Sequence, residues 1–227
     1  MRLVLFDIDG TLLDCGRQVR PWFAAALEEV FGTSGDVDGY DFAGKTDPLI
    51  VVDLMTAAGC SRETALAGVE RVKKLYLDRL AAGLDASRVR RLPGVFEVVE
   101  RLERRSDVAF GLLTGNWAEG ARVKLAAGGL GERFPFGAFG DDGLDRDELP
   151  PVALRRAGEL HDRGFEPGDS LIIGDSVLDV RCARAHGIPC LAVATSRTPA
   201  EALQAAGATW VAPTLLELPE ALRELLG

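Results

Sequence analysis

The chain has 227 residues, 47% of them hydrophobic, and a formal net charge of −9. This length suits one large α/β domain, or one domain with a modest insertion, and the apolar content is enough for a buried core, which excludes intrinsic disorder. An acidic chain lacks the clustered Lys and Arg that neutralise phosphates. We therefore expect neither a nucleic acid nor a membrane as partner.

The cysteines and histidines give no sign of a disulfide or a zinc site. The cysteines show no Cys-x-x-Cys spacing and no neighbouring His pair, so we expect reduced thiols in a cytosolic protein. They are Cys15, Cys60, Cys182 and Cys190. His161 and His186 lie on predicted helices, apart from any motif, and we expect them to be structural or solvated. The apolar run before Asp7 is too short for a signal peptide, and no run is long enough to cross a bilayer. We expect a cytoplasmic protein, as a monomer or a homodimer.

The first apolar run ends in a short polar stretch. Residues 3–6 predict a buried parallel strand, and ligand sites in open α/β sheets lie beyond the carboxyl ends of such strands. Asp7 and Asp9 alternate along the chain, so both carboxylates face one small space. Gly10 lets the backbone turn closely, and Thr11 offers a hydroxyl or an amide to an anion. Taken alone, this stretch is also compatible with an ordinary turn after a strand.

The next block of the chain has a purely helical pattern. Helices are predicted over residues 21–32, 47–59 and 61–80, because proline or a capping residue opens each of them and apolar residues recur at helical spacing. No strand pattern occurs in this block. It predicts an all-helical insertion, residues 14–91, in a core made of residues 1–13 and 92–227.

From residue 93 onward, strand and helix patterns alternate. Apolar strand runs occur at residues 108–113, 136–139, 170–173, 190–194 and 209–212, and helix patterns lie between them and after the last one. Strands that alternate with helices predict a parallel sheet with helices on both faces. The predicted fold class is therefore α/β, a doubly wound parallel sheet with a small helical domain inserted after the first strand.

Three of the predicted strands end in polar residues that suit one reaction. These residues are Asp7, Asp9, Thr114, Asn116, Asp175 and Asp179. The ends of parallel strands share one sheet edge, so the side chains converge there. Gathered carboxylates need a cation, and their hard oxygens favour Mg²⁺ over zinc. Thr114 lies at a strand-to-helix junction, where a hydroxyl and free amides can hold an anion. A metal, an anion pocket and a carboxylate nucleophile together indicate phosphoryl transfer.

Three segments resemble motifs of the haloacid dehalogenase superfamily of phosphohydrolases. Asp7-Ile-Asp-Gly-Thr is similar to the first motif, Leu113-Thr-Gly-Asn to the second and Gly174-Asp-Ser-Val-Leu-Asp to the fourth. The motifs occur in order, each after an apolar strand, and the helical insertion lies where the family has its small helical cap. The resemblance covers nearly the whole chain, and the C-terminal half is most similar to the phosphoglycolate phosphatase group. It implies a Rossmann-like core, a cap and phosphatase activity.

The third motif departs from the family pattern. The group usually has Lys-Pro before the fourth motif, whereas this chain has Asp-Arg-Asp-Glu-Leu-Pro at residues 145–150. Arg146 is the best candidate for the missing cation, and Arg155 and Arg156 are alternatives that we expect on a solvated helix face. No lysine follows Lys124, which we expect to be solvated on its own helix. Arginine offers a planar fork instead of a point charge, so its contacts with phosphate differ from those of lysine.

The resemblance implies a role for each of these residues. Asp7 would attack phosphorus and form an aspartyl-phosphate, and Asp9 would protonate the leaving oxygen and then activate water. The implied ligands of Mg²⁺ are Asp7, Asp9 through its carbonyl, and Asp175, with Asp179 supporting them. The implied phosphate-binding residues are Thr114, Gly115, Asn116 and Arg146.

The helical insertion is expected to select the substrate, because the phosphate site is generic. Lys45 precedes a predicted helix and could present its ammonium to an anionic leaving group; the alternative is a plain surface lysine. Hydrolysis of phosphorylated small metabolites is the leading hypothesis. A phosphomutase of the same superfamily would share Asp7 and Asp9, and a non-catalytic phosphate- or metal-sensing module would share the acidic cluster. The presence of Asp9, and an insertion built to close over substrate, argue against binding alone.

Overall fold

A six-stranded sheet forms the centre of the molecule, which a computed structural model describes over residues 1–227. In chain order the strands are β1 (Arg2–Phe6), β2 (Leu13–Asp14), β3 (Arg90–Arg91), β4 (Val108–Leu113), β5 (Gly137–Ala138), β6 (Ser170–Gly174), β7 (Cys190–Val193) and β8 (Trp210–Ala212). The central sheet has the order β5-β4-β1-β6-β7-β8, and all of its neighbouring strands are parallel. The carboxyl ends of β1, β4 and β6 therefore lie side by side.

Helices connect the strands. In chain order they are α1 (Val19–Phe31), α2 (Asp47–Ala57), α3 (Arg62–Gly83), α4 (Val95–Glu103), α5 (Ala118–Ala127), α6 (Leu149–His161), α7 (Val177–Ala185), α8 (Ala200–Ala206) and α9 (Glu220–Leu226). A short 3₁₀ turn, Arg146–Glu148, leads directly into α6. The alternation of strands and helices after residue 93 follows the prediction.

The sheet is covered on both faces. Along β1, Leu3 and Leu5 belong to one apolar cluster and Val4 and Phe6 to the other, and all four side chains are fully buried. Helices α4, α5 and α9 contribute to the cluster that holds Phe6, and α6, α7 and α8 to the cluster that holds Leu5. Burial on both faces explains why this strand is a continuous apolar run. The predicted doubly wound α/β fold is confirmed.

Helices α1, α2 and α3 form a third apolar cluster of their own. They lie where the sequence predicts helices, and the hydroxyls of Thr46 and Ser61 cap α2 and α3 by accepting backbone N–H groups. Trp117, from the loop after β4, is buried in this cluster with its ring centroid 6.2 Å from that of Phe23 and 5.9 Å from that of Tyr76. A residue next to the second motif thus anchors the helical insertion.

A short antiparallel ribbon lies at the base of the insertion, where the sequence pattern predicts only helices. Leu13 pairs with Arg91 and Asp14 with Arg90. The expectation of an insertion without strands is wrong at this point, because strands of two residues are too short to produce a periodic pattern. The predicted limits of the insertion, residues 14 and 91, fall on this ribbon and stay a prediction.

The cysteines and histidines, which belong to none of the motifs, have structural or surface positions. All four cysteines are free. His161 packs edge-on against Phe136 and Phe165, and His186 places Nε2 2.7 Å from the carbonyl oxygen of Asp147. None of the helices combines the length and the apolar character that crossing a bilayer requires.

Candidate active site

The first polar strand end is held tightly by its neighbours. Asp7 follows β1, is 5% exposed, and donates its backbone N–H to the carbonyl of Ile173 in β6. Gly10 has a φ of +85°, and a Cβ at this position would lie 2.3 Å from Oδ2 of Asp175. Only glycine permits this turn and this close approach. Thr11 then donates its hydroxyl to Oδ1 of Asp175 at 3.1 Å.

Three carboxylates meet beyond the ends of β1 and β6. Carboxylate oxygens of Asp7, Asp175 and Asp179 lie within 4.8 Å of one another, and all three residues are buried. Burial raises the pKa of Asp7 to about 6, even though Arg146 acts in the opposite direction. Burial, reinforced by the charges of Asp179 and Asp7, also raises the pKa of Asp175 well above its usual range. The cluster therefore holds more negative charge than its surroundings neutralise.

Asp179 is fixed by the start of α7. Ser176 caps this helix, and both its backbone N–H and its hydroxyl donate to Oδ2 of Asp179, at 3.0 and 2.6 Å. The backbone N–H of Asp179 in turn donates to the Ser176 hydroxyl at 3.1 Å. This reciprocal capping box fixes the Asp179 carboxylate within the cluster.

Arg146 is the cation that the structure places at this cluster. It is 3% exposed, and its Nη2 lies 3.2 Å from Oδ1 of Asp7 and also contacts Asp179. Burial acts to lower the pKa of Arg146, but the charges of Asp179 and Asp7 outweigh it and the pKa is raised. Its Nη1 donates to the carbonyl of Gly44 in the insertion at 3.1 Å, so one side chain links the insertion to the acidic cluster.

The two alternative arginines have other partners. Arg155 pairs with Glu159 on the surface of α6, with Nη1 to Oε1 at 2.7 Å. Arg156 pairs with Asp142 and also donates to the carbonyl of Gly137. The structure thus brings Arg146, and neither alternative, to the carboxylates.

The end of β4 supplies a second polar group. Thr114 and Asn116 are buried, and Nδ2 of Asn116 donates to both Oγ1 of Thr114 and Oδ2 of Asp9, at 2.8 Å each. Gly115 lies against the insertion, where a Cβ would be 2.0 Å from the carbonyl oxygen of Lys45. The second motif therefore contacts Asp9 through one side chain and the insertion through its backbone.

Lys124 belongs to this group, and the expectation that it is solvated is wrong. It is 4% exposed, and its Nζ lies 2.6 Å from Oδ2 of Asp9 and 2.5 Å from Oδ1 of Asn116. Burial acts to lower the pKa of Lys124, but neighbouring negative groups, Asp9 foremost, raise it well above its usual range. A signal was present in the sequence: Lys124 lies three residues after Ala121 and one before Leu125, which are both on the buried face of α5.

Asp9 itself stands apart from the three-carboxylate cluster. Its side chain is 42% exposed, and the partners described above, Lys124 and Asn116, both reach Oδ2. Asp7 and Asp9 are therefore two residues apart with different surroundings. One carboxylate is buried beside an arginine, and the other is partly open to solvent beside a lysine.

Asp47 is a buried carboxylate whose position in the sequence predicts only the start of a helix. Its Oδ2 accepts the backbone N–H of Trp117 at 2.9 Å, and its own N–H donates to the carbonyl of Gly115 at 2.7 Å. Burial raises the pKa of Asp47 to about 7. This residue joins α2 to the loop of the second motif.

Lys45 has its partners inside the insertion. Its Nζ lies 2.5 Å from the hydroxyl of Tyr40 and 3.2 Å from Oδ2 of Asp53, and it also stands over the ring of Tyr40. Contact with a substrate would require this ammonium to share or leave these partners. The role of Lys45 in specificity stays a prediction.

Fold and site together define a class of protein: an α/β enzyme that gathers carboxylates and two buried cations at the carboxyl edge of a parallel sheet. The chain matches the family model described as haloacid dehalogenase-like hydrolase over residues 4–184. It belongs to this family.

Several proteins of known name match this chain over nearly its whole length. A phosphoglycolate phosphatase from Synechococcus elongatus is 28% identical, and the match covers 100% of this chain and 99% of that protein. The crystal structure of a hydrolase from Pseudomonas syringae superposes with a TM-score of 0.68 at 23% identity, covering 100% of both chains. A Thermotoga maritima structure, described as a proposed β-phosphoglucomutase, superposes with a TM-score of 0.62 at 22% identity, again covering 100% of both chains. The family, the enzyme class and the likeness to phosphoglycolate phosphatases that the motifs predicted are confirmed.

Proposed function

We propose that this protein is a Mg²⁺-dependent phosphatase that hydrolyses phosphomonoesters of small metabolites through an aspartyl-phosphate intermediate. The observation that carries the proposal is the contrast between two carboxylates of one motif. Asp7 is 5% exposed and lies beside Asp175, Asp179 and Arg146, whereas the Asp9 side chain is 42% exposed. The first suits a nucleophile in a site built to bind negative charge, and the second suits an acid that meets the leaving group.

In the first step, a carboxylate oxygen of Asp7 attacks phosphorus while the bond from phosphorus to the leaving oxygen breaks. Asp9 donates its proton to that oxygen, so the alcohol leaves as a neutral molecule. Asp7 must be ionised to attack. Arg146, with Nη2 3.2 Å from Oδ1 of Asp7, favours the ionised form against the effect of burial.

In the second step, water attacks the phosphorus of the aspartyl-phosphate. Asp9, now ionised, takes a proton from the water, and the bond between phosphorus and the Asp7 oxygen breaks. Inorganic phosphate leaves, Asp7 is again a carboxylate, and Asp9 again carries a proton. The half-exposed position of Asp9 supports this role, because both the alcohol and the water must reach it.

The transferring phosphoryl group needs donors for its oxygens. Oγ1 of Thr114 accepts from Asn116 at 2.8 Å, so the hydroxyl proton of Thr114 remains available for a phosphoryl oxygen. We assign the same task to Gly115, Arg146 and Asn116; Asn116 would turn one amide hydrogen from Thr114 to the phosphoryl group, since Asp9 and Thr114 accept both of them in this structure. Fixed donors of this kind stabilise the charge that develops in the transition state.

The acidic cluster fits Mg²⁺ as a cofactor. Its donors are hard carboxylate oxygens within 4.8 Å of one another, and Arg146 pairs with only two of the three carboxylates. Asp7, Asp175 and the backbone carbonyl of Asp9 would hold the ion, and Asp179 would support them. Bound Mg²⁺ would supply positive charge to the phosphoryl oxygens.

The first substrate to test is phosphoglycolate, because relatives that match nearly the full length carry that activity in their names. We propose a small phosphorylated metabolite as partner and a monomer or homodimer as the active form. A phosphomutase is the second candidate, favoured by the full-length superposition on the Thermotoga maritima structure. A mutase would return the phosphoryl group to a sugar, whereas a phosphatase releases inorganic phosphate at a steady rate.

The test is steady-state release of inorganic phosphate from phosphoglycolate and from a panel of small phosphomonoesters, with Mg²⁺ present. Asp7→Asn should abolish release without loss of fold, since an amide is not a competent nucleophile here. Asp78→Asn, on an exposed position of α3, is the matched control and should retain wild-type activity. Near-wild-type release by Asp7→Asn would contradict the proposal, and transfer between sugar positions without release would favour the mutase.

A further inference from the structure

Lys124 is a buried ammonium with two polar partners at the active site. Its neighbours on the inner face of α5, Ala121 and Leu125, pack into the apolar core. Enclosing a charge costs several kcal/mol that an apolar side chain would not cost. An apolar residue would serve the packing of α5 equally well. The reason for a lysine at this position therefore lies in the contacts of Nζ, at 2.6 Å to Oδ2 of Asp9 and 2.5 Å to Oδ1 of Asn116.

The chemistry of the donors fixes how this group is arranged. An ammonium only donates hydrogen bonds and an ionised carboxylate only accepts them, so Asn116 must turn Oδ1 to Lys124 and Nδ2 to Asp9. Nδ2 then also reaches Oγ1 of Thr114. Lys124 thereby orients the amide that links Asp9 to the second motif.

Both donors approach the same oxygen of Asp9. Nζ of Lys124 lies 2.6 Å and Nδ2 of Asn116 2.8 Å from Oδ2. With Oδ2 held in this way, Oδ1 is the oxygen left to exchange a proton with the leaving group. The rotation of the carboxylate is thus set by two side chains, one of which is Lys124.

We infer that Lys124 is a positioning residue for the acid–base Asp9, holding its carboxylate so that Oδ1 meets the leaving oxygen. This inference rests on the proposed function, because it requires Asp9 to transfer a proton. It differs from a direct role in binding phosphate, in which Nζ would contact the phosphoryl oxygens whatever the leaving group. The two roles predict different dependence on the substrate.

The test compares kcat/KM of Lys124→Met on glycerol 3-phosphate and on p-nitrophenyl phosphate. An alkoxide must be protonated to leave, whereas p-nitrophenolate leaves without a proton. We expect Lys124→Met to lower kcat/KM about ten- to hundredfold on glycerol 3-phosphate, because it loses part of the general acid catalysis by Asp9. On p-nitrophenyl phosphate the loss of kcat/KM should be less than about threefold. Asp9→Asn should show the same preference. In the Asp9→Asn background, Lys124→Met should add less than about twofold, because residues that act as one unit are not additive.

Two further variants complete the experiment. Lys74→Met, at an exposed position on α3, is the matched control and should behave as the wild type. Lys124→Gln, which keeps a donor without the charge, should show the same substrate preference with a loss no larger than that of Lys124→Met, and it replaces Lys124→Met if that variant does not fold. Inhibition by inorganic phosphate should be unchanged in both Lys124 variants.

The possible failures are distinguishable. Equal losses on both substrates, with weaker inhibition by phosphate, would overturn the inference and make Lys124 a phosphate ligand, while the proposed function would stand. Near-wild-type activity of Lys124→Met on both substrates would overturn it as well. Absence of Asp7-dependent phosphate release from the wild type would overturn the proposed function, and with it this inference.

Discussion

Removal of the guanidinium of Arg146 should both destabilise the fold and slow turnover. Its Nη2 lies 3.2 Å from Oδ1 of Asp7, contacts Asp179 and donates to the carbonyl of Leu113 at 3.1 Å, while Nη1 donates to the carbonyl of Gly44. In Arg146→Ala, Asp7 and Asp179 remain buried without their cation. Breaking a buried pair in this way costs about 3–5 kcal/mol. For a chain of this length, that corresponds to a fall in Tm of about 6–20 °C.

The same substitution should lower kcat/KM about ten- to hundredfold. Hydrogen bonds to charged groups contribute about 1.5–3 kcal/mol, and about 1.4 kcal/mol is a factor of ten in rate. Arg146→Lys should recover part of both losses, because the charge remains although a single ammonium does not reproduce the fork that joins Gly44 to Asp179. The measurements are thermal unfolding without Mg²⁺ and kcat/KM with Mg²⁺ on one phosphomonoester.

Arg155→Ala and Arg156→Ala are the controls. The side chain of Arg155 is 58% exposed and pairs with Glu159, and that of Arg156 is 33% exposed and pairs with Asp142. A surface ion pair such as that of Arg155 contributes about 0–1 kcal/mol. The Arg156 pair is bidentate and half-buried, so Arg156→Ala should lower stability more than Arg155→Ala while leaving kcat/KM near the wild-type value. Wild-type Tm and kcat/KM in Arg146→Ala would refute the reasoning. A large loss of activity at Arg155 or Arg156, with little at Arg146, would show that the third motif lies elsewhere.

The remaining predictions concern the metal, a buried carboxylate and the insertion. Mg²⁺ at about 100 times its Kd should stabilise the protein by about 2.7 kcal/mol, seen as a rise in Tm that Asp175→Asn removes; full activity in excess EDTA would exclude the metal. Asp47 has a pKa of about 7 in the folded protein, above the 3.8 of a free carboxyl, so the folded state retains a proton that the unfolded state has lost between about pH 4 and pH 7. The contribution of Asp47 to stability must therefore fall as pH rises through this window, by at most about 4 kcal/mol. The free energy of unfolding, measured with urea at pH 4.5 and pH 7.5, should decline less between these values in Asp47→Asn than in the wild type. An equal decline in both proteins would contradict this. Lys45→Ala should change kcat/KM on a charged metabolite more than on a small aryl phosphate, and equal effects on both would make Lys45 a structural residue of the insertion.

The sequence predicts the sheet and its polar edge well because both depend on local patterns. Strand β1 is a continuous apolar run, and the change to Asp7, Asp9 and Gly10 marks its end without ambiguity. The parallel direction of the strands then follows from their alternation with helices. Arg146 is indicated only by its place in the chain, between the second and fourth motifs, and no pattern in its own segment indicates that it is buried.

The sequence pattern does not identify residues whose role depends on tertiary contacts. The three charged residues of α5, Glu119, Arg122 and Lys124, lie on different sides of the helix, so the buried face that contains Lys124 is weakly marked. Asp47 has the ordinary sequence position of a helix start, and its bond to the backbone of Trp117 depends on how the insertion packs. The ribbon at Leu13 and Arg91 is too short to have a pattern at all. In each case the decisive partner is distant in sequence.

The two carboxylates of the first motif have separate cations, and this separation suits their different tasks. Arg146, from the turn before α6, pairs with Asp7, and Lys124, from α5, pairs with Asp9. Side chains two residues apart in an extended chain point the same way, so the chain alone gives Asp7 and Asp9 similar surroundings. A cation shared by both would couple their charges and make their protonation interdependent. Because the two cations come from different segments, Asp7 can remain among the proposed metal ligands while Asp9 stays open to the leaving group.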